Sequence, residues 1–266
     1  MSKTILITGA SSGIGHATAR YFAEQGWNVA ATLRDPLKAA GSLKHPRISL
    51  FALDVTDEES IAQAVKSALA RYEKIDVLLN NAGYGLFGPM EASSARQIQQ
   101  QFATNVLGLI AVTRQILPSM RAAGAGLIIN VSSIVGRMAL PYASSYIATK
   151  FAVEGLSESI RYELAPFNIR VKLIEPGGIN TEFGKGSKQT AVSDPYRASL
   201  AKFMAIFTKR NSAGSSPQEV AKIIYRAAND SSDRLRYLAK PGPFYRLNRI
   251  LPDAIWRRLM VKAMVK

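Results

Sequence analysis

Cysteine is absent from this 266-residue chain, and histidine occurs only as His16 and His45. Without thiols there is no disulfide and no thiolate metal site, and two histidines are too few for a histidine-built zinc centre, so no catalytic metal is expected. Long hydrophobic runs are missing too, none approaching the ~18 residues that a membrane span needs. Met1-Ser2-Lys3 leads directly into a β-branched segment with no signal-peptide core, which makes a cytoplasmic location the expectation. No Pro/Ser-rich linker, internal repeat or low-complexity tract marks a boundary, and 47% hydrophobic content over this length suffices for one large core. A single domain over 1–266 is therefore expected. Acidic residues are scarce, 19 against 34 lysines and arginines, for a formal charge of +15 at pH 7.

What is present starts at the N-terminus. Lys3 to Thr8 reads as a short strand, followed by Gly9-Ala10-Ser11-Ser12-Gly13-Ile14-Gly15 and an Ala-rich segment, His16 to Gln25, with helical periodicity. Strand, glycine turn and helix together suit a nucleotide's phosphates. Gly9 allows the tight turn, Gly13 lets the backbone approach a pyrophosphate, Gly15 lets helix and strand pack closely, and the helix N-terminus offers free amides. The same residues satisfy Gly-x-Ser-x-Gly, the elbow of a serine hydrolase. That chemistry needs a histidine after a later acid, whereas His16 lies five residues beyond Ser11 and His45 precedes Pro46 in an expected loop, so the match is a decoy.

Tyr146 and Lys150 stand four residues apart in Ser-Ser-Tyr-Ile-Ala-Thr-Lys, which on a helix puts both on one face. An ammonium within a few ångströms favours the phenolate, so Lys150 is expected to lower the pKa of Tyr146 and make it a usable proton donor. Thirteen residues before Tyr146, Ser133 ends the apolar run from Leu127, as a strand delivering a hydroxyl to its C-terminal rim would.

Strands are expected at 3–8, 28–33, 48–53, 75–80, 126–132, 169–174 and 235–239, with helices between nearly all of them. That alternation predicts an α/β fold, a doubly wound sheet of about seven mostly parallel strands with helices on both faces. The segment 57–73 is a sheet-covering helix, with Ile61, Val65, Ala68, Leu69 and Tyr72 as its apolar stripe and Asp57 as its cap.

These separated motifs together resemble the short-chain dehydrogenase/reductase family, over roughly residues 3 to 240, which implies a Rossmann-type sheet. Thr8 to Gly15, including Ser11, Ser12 and Ile14, resembles its cofactor turn; Asn80-Asn81-Ala82-Gly83 its motif after the fourth strand; Tyr146 with Lys150 its catalytic pair; and Pro176-Gly177, with Ile179 and Thr181, its nicotinamide loop. The resemblance implies a catalytic tetrad of Asn105, Ser133, Tyr146 and Lys150. In it Ser133 holds the substrate carbonyl, Tyr146 donates the proton, Lys150 binds the nicotinamide ribose and Asn105 holds a relay water. It also implies an adenine contact for Asp54 and the backbone of Val55. Read from the residues alone, Asn105 is equally a buried amide satisfied by backbone, and Asp54 a turn residue. The rival of another class is a non-enzymatic NADP-binding sensor. A complete tetrad favours catalysis.

Cofactor choice turns on Leu33-Arg34-Asp35. An acid about 20 residues past the glycine turn would select NAD, and Asp35 lies at that distance. In the family the selecting acid occupies the strand's last position, here Leu33, and the selecting arginine follows it, here Arg34. Asp35 precedes Pro36 and suits a helix start. The expectation is NADP(H), with Arg34 and Ser12 on the 2′-phosphate.

Val135, Met138 and Leu140, together with Phe183, Tyr196, Phe203, Met204, Ile206 and Phe207 in the substrate-loop region 181–216, supply an apolar cleft. A hydrophobic ketone or secondary alcohol is the expected small-molecule partner. The Ala-Thr-Leu-Arg-Asp stretch resembles 17-beta-hydroxysteroid dehydrogenase-like members, implying steroid, retinoid-like or aromatic ketones. Residues 234–266 carry nine basic side chains against Asp253 alone, and 241–266 reads as a basic amphipathic helical extension broken near Pro252. Docking over the cleft is favoured, with anionic membrane or acyl carrier protein as other partners. The carrier names the alternative function, 3-oxoacyl-thioester reduction. Nucleic acid is not expected, since no reading or stacking motif is present. The resemblance also implies a homodimer or homotetramer through the helices holding Asn105 and Tyr146.

Overall fold

The computed structural model describes residues 2–179 and 194–265, with the backbone of 188–189. Its strands are β1 (Thr4–Ile7), β2 (Asn28–Leu33), β3 (Ile48–Ala52), β4 (Val77–Asn80), β5 (Leu86–Phe87), β6 (Gly126–Val131), β7 (Ile169–Pro176), β8 (Lys188–Gln189) and β9 (Arg236–Ala239). Its α-helices are α1 (Gly13–Glu24), α2 (Glu58–Tyr72), α3 (Ala95–Phe102), α4 (Gly108–Ala122), α5 (Ser144–Leu164), α6 (Arg197–Ser212), α7 (Pro217–Asn229), α8 (Pro243–Asn248) and α9 (Asp253–Met264). All seven expected strands occur, and they form one parallel sheet in the order β3-β2-β1-β4-β6-β7-β9. β7 runs two residues further than expected because Glu175 and Pro176 remain in register with Leu238 and Ala239 of β9. The short β5 and β8 pair with each other outside the sheet.

Strand alternation divides the core. Ile5, Ile7, Val29, Ala31, Leu79 and Ile129 face one layer, where α1 and α7 supply Phe22, Val220, Ile224 and Ala227. Leu6, Ala30, Leu78 and Ile128 face the other, covered by Ile61, Val65 and Ala68 of α2 and Val112 and Ile116 of α4. A sheet buried on both faces reads as near-continuous apolar strands, which is why the sequence pattern located them. Asp57 caps α2 as expected, its Oδ1 accepting from the amides of Glu59 (2.9 Å) and Ser60 (3.1 Å). β1 lies between β2 and β4, so the strand order reverses beside it, and the rim beyond the carboxyl ends of β1, β4, β6 and β7 is where such sheets hold ligands.

The basic tail docks. Tyr245 of α8 and Trp256, Met260 and Met264 of α9 are buried against Phe203 of α6 and against Val135, Met138 and Tyr146. Arg246, Arg249, Arg257, Arg258 and Lys262 stay exposed. A break at Pro252 separates the two helices, as read from the sequence. Among the described residues no helix is long and apolar enough to cross a membrane.

Candidate active site

β1 delivers the glycine turn to the rim. Thr8 Oγ1 accepts from the amides of Asn81 and Ala82, each at 3.0 Å, joining the ends of β1 and β4. Gly9 has φ +68, and a Cβ there would lie 2.9 Å from Ala82 Cα; one on Gly15 would lie 2.4 Å from Gly9 O. Neither backbone can move away, so the turn admits no side chain at these two positions. Ser12, at the N-cap of α1, makes no side-chain capping bond, which leaves the first-turn amides for an anion. The side chain of Asn81 ties the turn together, its Nδ2 donating to Thr8 O (2.9 Å) and Gly9 O (3.1 Å).

The expected catalytic side chains are brought together by β6, the turn after it and the start of α5. Ser133 follows β6; its hydroxyl donates to Pro176 O (3.3 Å), accepts from the Val135 amide (3.3 Å) and is hydrogen-bonded to Tyr146. Lys150 Nζ donates to Val131 O (2.8 Å) and lies 5.8 Å from the Tyr146 ring centre. Asn105 sits in a π-turn, Ala103–Leu107, between α3 and α4 rather than inside a regular helix, an irregularity frequent at functional sites. Its Oδ1 accepts from the Tyr84 amide (3.1 Å), and its Nδ2 donates to Tyr84 O (2.9 Å) and Thr149 Oγ1 (3.1 Å). Two of these three contacts are to the backbone of Tyr84 and the third is to a side-chain hydroxyl.

One expectation is corrected. Burial pushes the Tyr146 phenol up, against the opposing Ser133 hydrogen bond, and burial brings Lys150 down to about 8 against the attraction of Glu154. Both groups are out of water, where the charged form of each is penalised, and at 5.8 Å from the ring the ammonium does not offset this. Tyr146 is therefore neutral around pH 7, the state from which a proton can be given.

Behind Lys150 lies a buried carboxylate pair. Arg236 Nε is 3.0 Å from Glu154 and 3.2 Å from Glu175, and its Nη2 is 2.8 Å from Glu158. Glu175 is 0% exposed, and burial, then repulsion from Glu154, raises it to about 7 against the pull of Arg137 and Arg236. The folded state thus holds this proton more tightly than the unfolded chain, whose carboxyl titrates near 4.5. Glu175 costs no stability below about pH 4.5, and its penalty grows until pH 7. His16, lowered by burial and then by Arg20, acts oppositely below 6.5, so the comparison must be with a variant. Glu175→Gln is expected to melt higher than wild type at pH 8 and to lose that advantage at pH 5. A constant difference in melting temperature across this range would reject the assignment.

A cleft of about 960 Å³ joins these parts. From the expected cofactor set it is lined by Gly9, Ser11, Ser12, Gly13 and Ile14, then Arg34, Asp54 and Val55, then Asn81, Ala82 and Gly83, and finally Tyr146, Lys150, Pro176, Gly177 and Ile179, with Ser133 beside Tyr146. Gly15 and Asn105 stand behind this lining, and Thr181 and Phe183 lie outside the described residues. Arg34 is exposed just past β2. Asp35 caps the short 3₁₀ turn Pro36–Ala39, accepting from the Leu37 amide at 3.2 Å. Asp54 Oδ1 takes the Thr56 amide (2.9 Å) and hydroxyl (2.7 Å). Burial raises the Asp54 carboxyl, but these bonds and the attraction of Arg34 outweigh it and leave the pKa lowered. The apolar end is walled by Val135, Met138, Leu140, Phe203, Phe207 and Met264. Sequence reasoning missed Arg210, Lys240 and Gly242, which also line the cleft, because no local spacing marks them.

The family model for short chain dehydrogenases matches residues 3–191. The chain belongs to that family. It is 37% identical over 259 residues to the 3-ketodihydrosphingosine reductase of Bacteroides thetaiotaomicron, covering 94% of each chain. It is 37% identical over 252 residues to retinol dehydrogenase 8 of Bos taurus, covering 88% of this chain and 80% of that one. A short-chain dehydrogenase from Streptomyces avermitilis has the same fold, with a TM-score of 0.84 at 33% identity over 97% of this chain and 95% of that one. Solved structures like it hold NADP or NADPH, and some NADH. The chain is an oxidoreductase of CH–OH and C=O groups that works with a nicotinamide cofactor.

Proposed function

We propose that the chain is an NADP(H)-dependent carbonyl reductase and alcohol dehydrogenase acting on a ketone or secondary alcohol with a bulky hydrophobic body. The observation that carries this is the single cleft in which Arg34, the glycine turn, Ser133-Tyr146-Lys150 and an apolar wall meet. The residues fit a dinucleotide. Glycines stand where a Cβ would strike backbone, including Gly177, where it would lie 2.4 Å from Lys240 O, and α1 presents uncapped amides. When bound, the cofactor supplies hydride from C4 of its nicotinamide to the carbonyl carbon. The chain does the rest. Ser133 orients the carbonyl oxygen, Tyr146 gives that oxygen its phenolic proton as negative charge develops, and Lys150 holds the ribose hydroxyls beside the tyrosine. Gly177 and Ile179, which line the cleft, would hold the nicotinamide. Arg34, following β2, binds the 2′-phosphate with its forked guanidinium, and the capping bond of Asp35 to the Leu37 amide supports reading that acid as a turn residue.

Relatives named for a keto-sphingoid base and for retinol support a lipophilic substrate. The test is NADPH oxidation by the purified protein over steroid, aryl and long-chain alkyl ketones. Turnover that rises with the apolar bulk of the ketone supports the reading, and activity confined to small polar aldehydes sinks it.

We further propose a homo-oligomer through α4 and α5. Leu107 is 60% exposed, and Phe151 and Tyr162, on one face of α5 with the open Gly155 between them, are 46% and 67% exposed. Phe151→Asp is expected to lower the mass measured by light scattering. A wild-type protein that is already monomeric at micromolar concentration would contradict this.

A further inference from the structure

Arg210 lies in the last turn of α6 and lines the cleft, as do Gly178, Asn211 and Gly242. Its guanidinium carbon lies 4.5 Å from the centre of the Phe244 ring, and a Cβ on Gly242 would lie 3.2 Å from Nη2, so the glycine leaves the space the guanidinium fills. Among the described residues it has no acidic partner. Burial alone lowers its pKa, with no carboxylate raising it. By contrast, Lys240 on the same wall is paired with Glu219 at 3.6 Å. The carbonyl end of α6 and the ring face compensate Arg210 only in part. A half-buried cation held on an aromatic shelf and facing a ligand cleft, without a counter-ion, is arranged to receive one.

We propose that Arg210 binds an anionic group, a carboxylate or phosphate, carried by the substrate, so that this cleft selects hydrophobic ketones or alcohols with an acidic end over neutral ones. The proposal rests on the carbonyl-reductase reading for the identity of the reacting end, while its binding test stands without turnover. In the geometry it implies, the apolar body lies along Phe203, Phe207 and Met138, and the anion meets the forked donors beside Asn211 and Gly242, all of which line the cleft.

The test uses the full chain saturated with NADP⁺ and measures, by titration calorimetry, the affinity of dodecanoate and of its methyl ester for wild type, Arg210→Gln and Arg210→Lys. Gln keeps the first part of the stem, so loss of fold is not the expected result, and circular dichroism checks it. Wild type is expected to bind the acid about tenfold or more tightly than the ester. Arg210→Gln should erase that preference by weakening the acid alone, and Arg210→Lys should keep part of it. Equal binding of acid and ester by wild type overturns the proposal. So does a parallel loss of both ligands in Arg210→Gln, which would assign the side chain to packing. A fall in NADPH affinity in Arg210→Gln with the preference intact also overturns it, since the guanidinium would then belong to the cofactor's phosphates. If the acid preference is found but no ketone is reduced, the carbonyl-reductase reading fails and the anion site remains.

Discussion

Replacing Tyr146 by phenylalanine is expected to lower kcat for ketone reduction by about 10³-fold, while NADPH affinity stays within about twofold of wild type. The ring is buried against Phe87 and packs beside Ile147 and Phe203, and the phenylalanine keeps those contacts. What is lost is the phenolic proton, which on the proposed mechanism answers the charge developing on the carbonyl oxygen. The corrected direction of its pKa sharpens the point. Burial favours the neutral phenol, which keeps the proton available at neutral pH, and the Ser133 hydrogen bond acts in the opposite direction. Stopped-flow measurement of NADPH oxidation with a saturating ketone checks this. A phenylalanine variant that retains a tenth or more of the wild-type rate would remove Tyr146 from the role of donor.

Replacing Arg34 by aspartate is expected to lower the NADPH to NADH ratio of kcat/KM by about 10²-fold. The substitution removes a forked cation and places a carboxylate where a 2′-phosphate would lie. Arg34 is exposed and attracts Asp54, so the neighbourhood already holds one negative charge that the arginine offsets. Most of the change is expected in KM for NADPH, since a phosphate remote from the reacting carbon contributes uniform binding. Because the site is open to solvent, the wild-type preference should shrink with added salt. An unchanged ratio in the variant would mean that some other group reads the phosphate.

The parts legible in the sequence were those that repeat a local rule. The seven sheet strands announced themselves as apolar runs, and Asp57 and Asp35 declared their caps by preceding a helical pattern and a proline respectively. The glycine turn and the Tyr146-Lys150 spacing were legible because backbone geometry fixes them. What was not legible depends on tertiary burial. The upward shift of Tyr146 and the downward shift of Lys150 follow from burial, which no spacing encodes. The π-turn at Asn105 reads as ordinary helix in the residues themselves. The two-residue ladder of β5 and β8 is too short to carry periodicity. For the tail, the amphipathic pattern of 241–266 says that one face is covered, but only the contacts of Trp256 and Met260 with the α6 side of the cleft say by what. Arg210 gave no signal at all: it is one of two basic residues closing α6, and its neighbour Lys209 faces solvent.

Hydride transfer to a carbonyl carbon, with Tyr146 as the proton donor, is read without intermediaries in single-turnover reduction of a hydrophobic ketone. The purified protein is given NADPH deuterated at C4, in separate samples for each face of the nicotinamide. One deuterium is expected at the carbinol carbon of the product alcohol, from one face only, and in Tyr146→Phe it should appear about 10³-fold more slowly. Tight NADPH binding with no deuterated alcohol from any hydrophobic ketone would refute the assignment.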